Sequence, residues 1–485
     1  MVPESPRTGL HPRCFAASLV VICAALPASA QDLLSLDRFA LLVASESRPS
    51  FAVIGAGARA AGMGGAFTAL ADDASAASFN PAGLALLLTP EASLVLDGRS
   101  RHDDYAAFTA LENGEPTAYS ASRSVFDTAG VNFASFTLPT TLAERNLTLQ
   151  LSYHRLVDFE LERDRSFLAS EPGGEAVARY HQTVDQEGEI ATFALAAAYQ
   201  ATERLSVGLN LARWQGAWTF VTDTSEAELA TGTETALHFV QDHRFSGWNL
   251  TAGFLLRYRY ANVGASFRLP FDGRYQVDSR LTTTFESPFV PQSRLDGRLE
   301  WPGSYTAGIA LKPFETWIVT ADYAEYDWDD MVIQGLGQEP VSFFDLVPVS
   351  RSTTENRGQW RFGTEVTLLP GENVVGLRAG YFTEPRPERL AGEGEAANTR
   401  GWALGAGWRR GALSFDLAWQ RVHTLSKLPQ FVDPDAVTEG EVLLPADAEV
   451  RTRENRVFVS MLYRFPSRDA LKKLFHFLFV GPTRP

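Results

Sequence analysis

The residues from Val53 to Ala60, Val-Ile-Gly-Ala-Gly-Ala-Arg-Ala, have the types and spacing for one recognisable piece of chemistry. A strand running into G-x-G-x-x-A holds a dinucleotide pyrophosphate at a helix N-terminus, with an acid about 20 residues further on for the ribose. Asp72 and Asp73 fall near that place. The pattern demands a βαβ unit around it. Here the acids follow Ala69-Leu70-Ala71 instead of a second apolar strand, and no strand–helix alternation comes later, so the dinucleotide reading is set aside. The eight histidines show no ligand spacing, and no metal is expected. No G-x-S-x-G, H-E-x-x-H or phosphate-binding loop occurs. His154, His238 and His243 have no recognisable partner in the sequence. No catalytic residue and no cofactor is expected, and the chain is not read as an enzyme.

These residues lie in a stretch, Phe51 to Leu88, that reads as neither strand nor polar loop. Gly55, Gly57, Gly62, Gly64 and Gly65 sit among alanines, and Asn80-Pro81-Ala82-Gly83 follows the two acids. Gly and Ala at this density mean backbone packed close against something else. Asn-Pro forces a turned or extended backbone. The stretch reads as a compact plug lying inside a larger structure.

Residues 1–30 read as a secretory signal: Arg7 and Arg13, the apolar run Cys14–Leu26, then Ala28-Ser29-Ala30 as the cleavage site. Ile22 before Cys23 is large for a lipoprotein site. Without this piece the chain has no cysteine, 41 basic and 57 acidic residues, and a net charge of −16. That balance argues against nucleic acid as a partner. Gln31 to Ser50 could form a short amphipathic helix, so 31–90 is taken as the plug segment.

From Glu91 onward the hydrophobic period changes to two. Leu205, Val207, Leu209 and Leu211 alternate with Ser206, Gly208 and Asn210, and Leu413, Phe415, Leu417 and Trp419 alternate with Ser414, Asp416 and Ala418. A soluble sandwich would also alternate. Three features favour a transmembrane barrel instead. The apolar faces end repeatedly in Trp or Tyr, and all ten Trp fall in or beside candidate strands, as in aromatic girdles. Short connections (139–146, 201–204, 259–261, 312–315, 369–373, 410–412) alternate with long polar ones (102–128, 162–187, 222–245, 271–290, 329–354, 385–398, 425–452), the pattern of periplasmic turns and outer loops. The strand count is even. Fourteen are expected, near 91–101, 129–138, 147–161, 188–200, 205–221, 246–258, 262–270, 291–311, 316–328, 355–368, 374–384, 399–409, 413–424 and 453–465. The fold class is thus an all-β antiparallel transmembrane barrel of about 14 strands over 91–465, with an N-terminal plug in its lumen. Residues 466–485 read either as a short amphipathic helix or as a loose tail.

Gly57-Ala58-Arg59, Gly62-Met63-Gly64-Gly65-Ala66-Phe67, Ala69-Leu70-Ala71-Asp72-Asp73 and Asn80-Pro81-Ala82-Gly83-Leu84 together resemble the N-terminal motif of the FadL/TodX family of outer-membrane transporters for long-chain fatty acids and aromatic hydrocarbons. The resemblance implies that Asn80, Pro81 and Ala82 belong to a hatch folded into the lumen. It implies that Gly62, Gly64 and Gly65 allow close approach to the wall. Candidate lumen charges are Arg257, Arg259, Arg268, Asp322, Glu365, Arg378 and Asp416. Asp72 and Asp73 would pair with Arg257, Arg259, Arg268 or Arg378, or else be solvated in a wet lumen. PorV-like barrels share the Gly-Met-Gly-Gly-Ala-Phe and Asn-Pro-Ala-Gly-Leu texture, and look like partners in secretion or surface attachment.

The expected function is passive uptake of a hydrophobic small-molecule ligand across the bacterial outer membrane, gated by the hatch. The alternative is a PorV-like scaffold that holds a protein partner. Implied partners are outer-membrane lipids and the barrel insertion machinery. The last strand, with Val457, Val459, Met461, Tyr463 and Phe465 alternating to an aromatic end, resembles the signal that machinery reads.

Overall fold

The computed structural model describes residues 55–466, apart from 113–114, 171–173, 285–291, 336–338, 345–348, 353, 355, 390–395 and 428–448. The expected signal, the helix over 31–50, the first four plug residues and the tail beyond 466 lie outside the described residues.

In chain order the strands are β1 (Glu91–Tyr105), β2 (Phe108–Glu112), β3 (Glu115–Tyr119), β4 (Ser122–Leu142), β5 (Arg145–Asp158), β6 (Leu161–Ser170), β7 (Ala176–Gln200), β8 (Leu205–Glu228), β9 (Glu234–Arg257), β10 (Ala261–Arg268), β11 (Phe271–Thr283), β12 (Gln292–Trp301), β13 (Ser304–Phe314), β14 (Trp317–Tyr326), β15 (Val332–Gln334), β16 (Val341–Ser342), β17 (Arg357–Leu368), β18 (Asn373–Arg389), β19 (Ala396–Arg410), β20 (Leu413–Lys427) and β21 (Glu449–Arg464). Fourteen of them, β1, β4, β5, β7 to β10, β13, β14 and β17 to β21, pair antiparallel in a ring that β1 and β21 close, from Glu91↔Arg464 to Tyr105↔Val450. A closed ring leaves no unpaired edge, which is what hydrocarbon surroundings require.

Alternation sets which residues face lipid. On β8, Val207, Leu209 and Leu211 are exposed on the outside, while Ser206 and Ala212 are buried within. Trp402 and Trp408 of β19 both face out, ~20 Å apart along the strand. Exposed Tyr258, Tyr260, Phe314 and Trp317 mark one rim of the apolar belt, and Trp248, Trp360 and Trp402 mark the other. Four tryptophans depart from the girdle expectation. Trp214, Trp218, Trp301 and Trp328 are buried inside the barrel.

The fourteen expected strands correspond to the fourteen in the wall, with two differences. The span 291–311 is two strands, β12 and β13, because Pro302-Gly303 cannot continue the ladder. Leu269-Pro270 likewise divides β10 from β11. Much of what was expected as polar outer loop is strand: β7 begins at Ala176, β8 runs to Glu228, and β9 begins at Glu234. Polar residues continue the alternation beyond the belt, where both faces of a strand are wet or paired.

At the turn end, Leu142 and Arg145 are joined through Ala143 (φ 49°) and Glu144 (φ 66°). Two left-handed residues in a two-residue hairpin favour Asn-Gly. Ala143→Asn with Glu144→Gly is expected to stabilise the barrel by about 1–2 kcal/mol. An unchanged urea unfolding midpoint would contradict this.

Candidate functional site

The plug occupies the turn end of the lumen. It consists of a short helix α1 (Ala58–Gly62) and two 3-10 turns, Ala76–Ser78 and Pro81–Leu86. Met63, Phe67, Leu70, Leu84 and Leu87 form its own small core, with Phe79 edge-on to Phe67 at 5.4 Å. So little regular structure leaves many backbone groups unpaired, and each must find a partner in the wall. Asp322 of β14 accepts from the backbone N–H groups of Phe67 (2.9 Å) and Thr68 (2.8 Å). Ser460 of β21 accepts from Ala58 N–H at 2.7 Å. Gln420 donates to the Ala61 carbonyl, Gln150 to that of Ala74, Asn262 to that of Ala69, and Asn146 to those of Ala85 and Leu87.

Asn80 works in three directions. Its Oδ1 accepts from Ala82 N–H (3.1 Å), capping the turn that Pro81 begins. Its Nδ2 donates to the Thr68 carbonyl (3.0 Å) and across to the Phe254 carbonyl of β9 (2.9 Å). Pro81 and Ala82 lie against Gly208 of β8, where a Cβ would overlap their backbone. Close approach is thus secured from both sides. Gly62 faces Gly405, and Gly64 (φ +66°) lies on the Gly380–Tyr381 backbone; Gly65 (φ +78°) faces the Arg361 side chain, while Gly57 (φ +91°) packs on Ser75 within the plug. The sequence pointed to the plug glycines and missed the wall glycines, which inward alternation could have revealed.

The acids pair differently from expectation. Asp72 meets Arg59 of α1 at 2.5 Å, and Asp73 lies 3.8 Å from the same guanidinium while its Oδ1 accepts from Ser75 N–H and Oγ–H. Arg59 also forms two hydrogen bonds to Glu365 of β17, at 2.8 and 2.9 Å. Glu365 accepts from Arg378 Nε at 2.5 Å, and Arg378 Nη1 donates to Asp416 at 2.7 Å. The result is a chain of charges, Asp72–Arg59–Glu365–Arg378–Asp416, running from plug to wall. Loss of bulk water inside the lumen lifts the Asp72 carboxyl above its ordinary range, although about a third of the side chain is exposed, and Arg59 offsets this in part. Arg257, Arg259 and Arg268 take no part. Arg257 sits at the turn end with Nη2 toward the Glu203 carbonyl, and Arg259 is exposed in a turn over the Tyr260 ring. Arg268 does face the lumen.

Above the plug is a cavity of about 120 Å³, between Thr68, Ser78 and Phe79 of the plug and Trp214, Arg268 and Phe382 of the wall. Beyond it the lumen divides into two sides. One is apolar: Leu156, Phe159, Trp214, Trp218, Tyr275, Trp301, Trp328 and Phe343 belong to a single packed cluster. Trp214 lies 4.8 Å from Trp301, and Trp218 stacks on His243 at 4.7 Å, whose Nδ1 meets Tyr275 Oη at 2.8 Å. The other side is ionic. Arg155 pairs with Asp97 and Asp158, Arg99 with Asp158, Arg163 with Asp103, and Arg456 with Glu454. The β4–β5 ladder stops at Phe133↔His154, and the β5–β7 register shifts at Arg155/Val157. Arg155 packs beneath Gly130 there, spanning a seam where the β4–β5 ladder is absent.

Two surface histidines have partners the sequence did not suggest. His238 Nδ1 lies 2.7 Å from Asp223, and His181 Nδ1 is 3.0 Å from Ser166 Oγ and 3.6 Å from Asp164. Ser166 and Asp164 approach the same ring nitrogen, so they do not form a Ser-His-acid relay, which needs both nitrogens.

A model of the uncharacterised protein family UPF0164 matches residues 42–214. No curated protein matches the sequence. The crystal structure of a Pseudomonas aeruginosa FadL homologue is similar over 86% of this chain and 99% of that one, with a TM-score of 0.63 and 13% identity. That of the P. putida toluene transporter TodX is similar over 85% of this chain and 99% of that one, with a TM-score of 0.52 and 16% identity. The resemblance first carried by the plug motif therefore extends to the wall, and this chain has the FadL/TodX fold, a closed fourteen-stranded barrel with its N-terminal segment inside.

Proposed function

We propose that this protein is a passive outer-membrane channel for hydrophobic small molecules, with the plug as its gate. The observation that carries the reading is the aromatic cluster inside the barrel. A porin for polar solutes needs a wet, polar lumen. Here Trp214, Trp218, Trp301 and Trp328 are turned inward and packed together with almost no exposed surface, so this side of the lumen excludes polar solutes and would be entered only by an apolar ligand that parts it. The name of TodX as a toluene transporter supports the same class of cargo. A ligand is captured at the loop end, rests against the aromatic side of the lumen, and passes when the plug shifts. No bond is made or broken. A ligand moves the plug only if it binds the shifted state better.

The test is uptake of a labelled long-chain fatty acid, and separately of toluene, by cells lacking their own transporter. The intact protein is compared with Asn80→Ala and with deletion of 51–88, each checked for membrane insertion. Asn80→Ala removes the cap and both donated bonds, a loss of about 1–3 kcal/mol of seating, so uptake is expected to change severalfold. No uptake of either compound by an inserted, intact barrel would reject the channel reading and favour the protein-binding scaffold.

A further inference from the structure

We propose that a groove on the outer surface of the wall, just above the aromatic rim at the loop end, holds the phosphate of an outer-leaflet lipid on Arg244, Arg274 and Arg298. The inference concerns the lipid-facing surface and does not depend on what the lumen carries.

Ladder register places the groove. Phe193 and Trp248, both exposed, lie in one outward row across β7, β8 and β9 and mark the rim of the belt. The next outward row, ~7 Å further from the hydrocarbon, carries Ala191, Gln215, Ser246, Arg274 and Arg298 in register. The row beyond carries Glu189, Ala217 and Arg244. The small side chains of Ala191, Ala217 and Ser246, with Gly216, floor a groove of about 530 Å³. Its two ends differ. Tyr153 and Glu189 stand at one, and Arg244 and Arg274 at the other. Arg298 stands directly opposite Arg274 on β12.

Like charges directly opposite on antiparallel strands repel, and the acids nearby are engaged elsewhere. Asp242 accepts from Arg280 at 2.9 Å, Asp296 from Arg294 at 3.2 Å, and Glu189 from Tyr153 Oη at 2.8 Å. Arg244 comes no nearer than 3.9 Å to Asp278, and Arg274 no nearer than 3.8 Å to Asp296, both beyond hydrogen-bond reach. Arg298 forms no ion pair among the described residues. Asp272 and Glu300, opposite each other one step nearer the belt, form none either. Three guanidiniums on neighbouring strands thus hold charge and donors that no carboxylate takes up.

A phosphate relieves the repulsion, because its several acceptor oxygens take forked donors from more than one arginine. The depth of the groove assigns that phosphate to a lipid. The arginines stand at headgroup height, immediately above the aromatic rim. Phe193 lines the lower edge, and exposed Leu195 and Leu211 continue below it, a path for acyl chains. Glu189 repels an anion from the far end, so the headgroup takes the arginine end.

The experiment is native mass spectrometry of the full barrel released from a neutral detergent, with dioleoyl phosphatidic acid and dioleoylglycerol as probes. The two lipids differ only in the phosphate. The intact protein is expected to retain phosphatidic acid with about a tenfold or greater preference, as several arginines at a membrane surface imply. Combined Arg244→Gln, Arg274→Gln and Arg298→Gln abolishes the preference, and Arg274→Gln alone lowers it severalfold. Combined Arg409→Gln and Arg410→Gln, at exposed positions of the turn end, leaves it unchanged. Heat-shifted gel migration confirms that each variant is a closed barrel. Equal retention of the two lipids, or a preference that survives the three substitutions, overturns the proposal. So does a preference lost equally in the turn-end variant, which would mean attraction by surface charge at large. Displacement of the lipid by millimolar inorganic phosphate would show a free-anion site and also overturn it.

Discussion

Gly380→Ala is expected to unseat the plug and open the barrel to ions. A Cβ at Gly380 would occupy the space of the Met63–Gly64 backbone, which is main chain held on both sides and has no flexible end to move. Overpacking of this kind costs about 1–3 kcal/mol, enough to raise an unseated population between about fivefold and a little over a hundredfold. Two readouts apply. Trypsin added from the turn end should cleave after Arg59 in the variant and not in the parent, where Arg59 is engaged by three acids. Conductance across a planar bilayer should rise in proportion. Gly98→Ala is the control, since its Cβ would meet neighbours at an ordinary 3.5 Å. A variant that stays closed, with Arg59 protected, would mean that the plug slides without losing its seal.

Glu365→Ala is expected to have the largest effect of any single charge change. Glu365 is buried between two guanidiniums, and its removal leaves Arg59 and Arg378 facing each other. Breaking a buried pair in this way costs about 3–5 kcal/mol. Asp72→Asn should cost far less, because the Asp72 side chain is 34% exposed and Asp73 stands beside Arg59 as a substitute. Urea unfolding of the two variants, with trypsin protection at Arg59 as the local readout, separates them. Similar effects from both would show that the chain of charges acts as one unit.

The wall was legible in the sequence because a membrane imposes one rule, large apolar residues out and small or polar ones in, and Leu205 to Leu211 and Leu413 to Trp419 follow it. The same rule held information left unused. With Val207, Leu209 and Leu211 outward, the even positions 214 and 218 must point inward, so two of the interior tryptophans could have been placed by parity alone. The fusion of β12 and β13 arose because apolar residues continue across Pro302-Gly303. The charge partners were not legible. Arg59 and Asp72 are thirteen positions apart in an irregular segment, where no periodicity says which side chains meet. Arg257, Arg259 and Arg268 look equivalent in sequence and differ only in depth: one at the rim, one in a turn, and one in the lumen.

The plug is bonded to the wall on nearly every side at once. Partners come from β4 and β5 on one side of β1, β20 and β21 on the other, and β9, β10 and β14 across the lumen. A central body with radial bonds of fixed length sets a circumference. The N-terminal segment and the ring of fourteen strands therefore match in girth, and Ser460 ties β21 to the plug beside its pairing with β1.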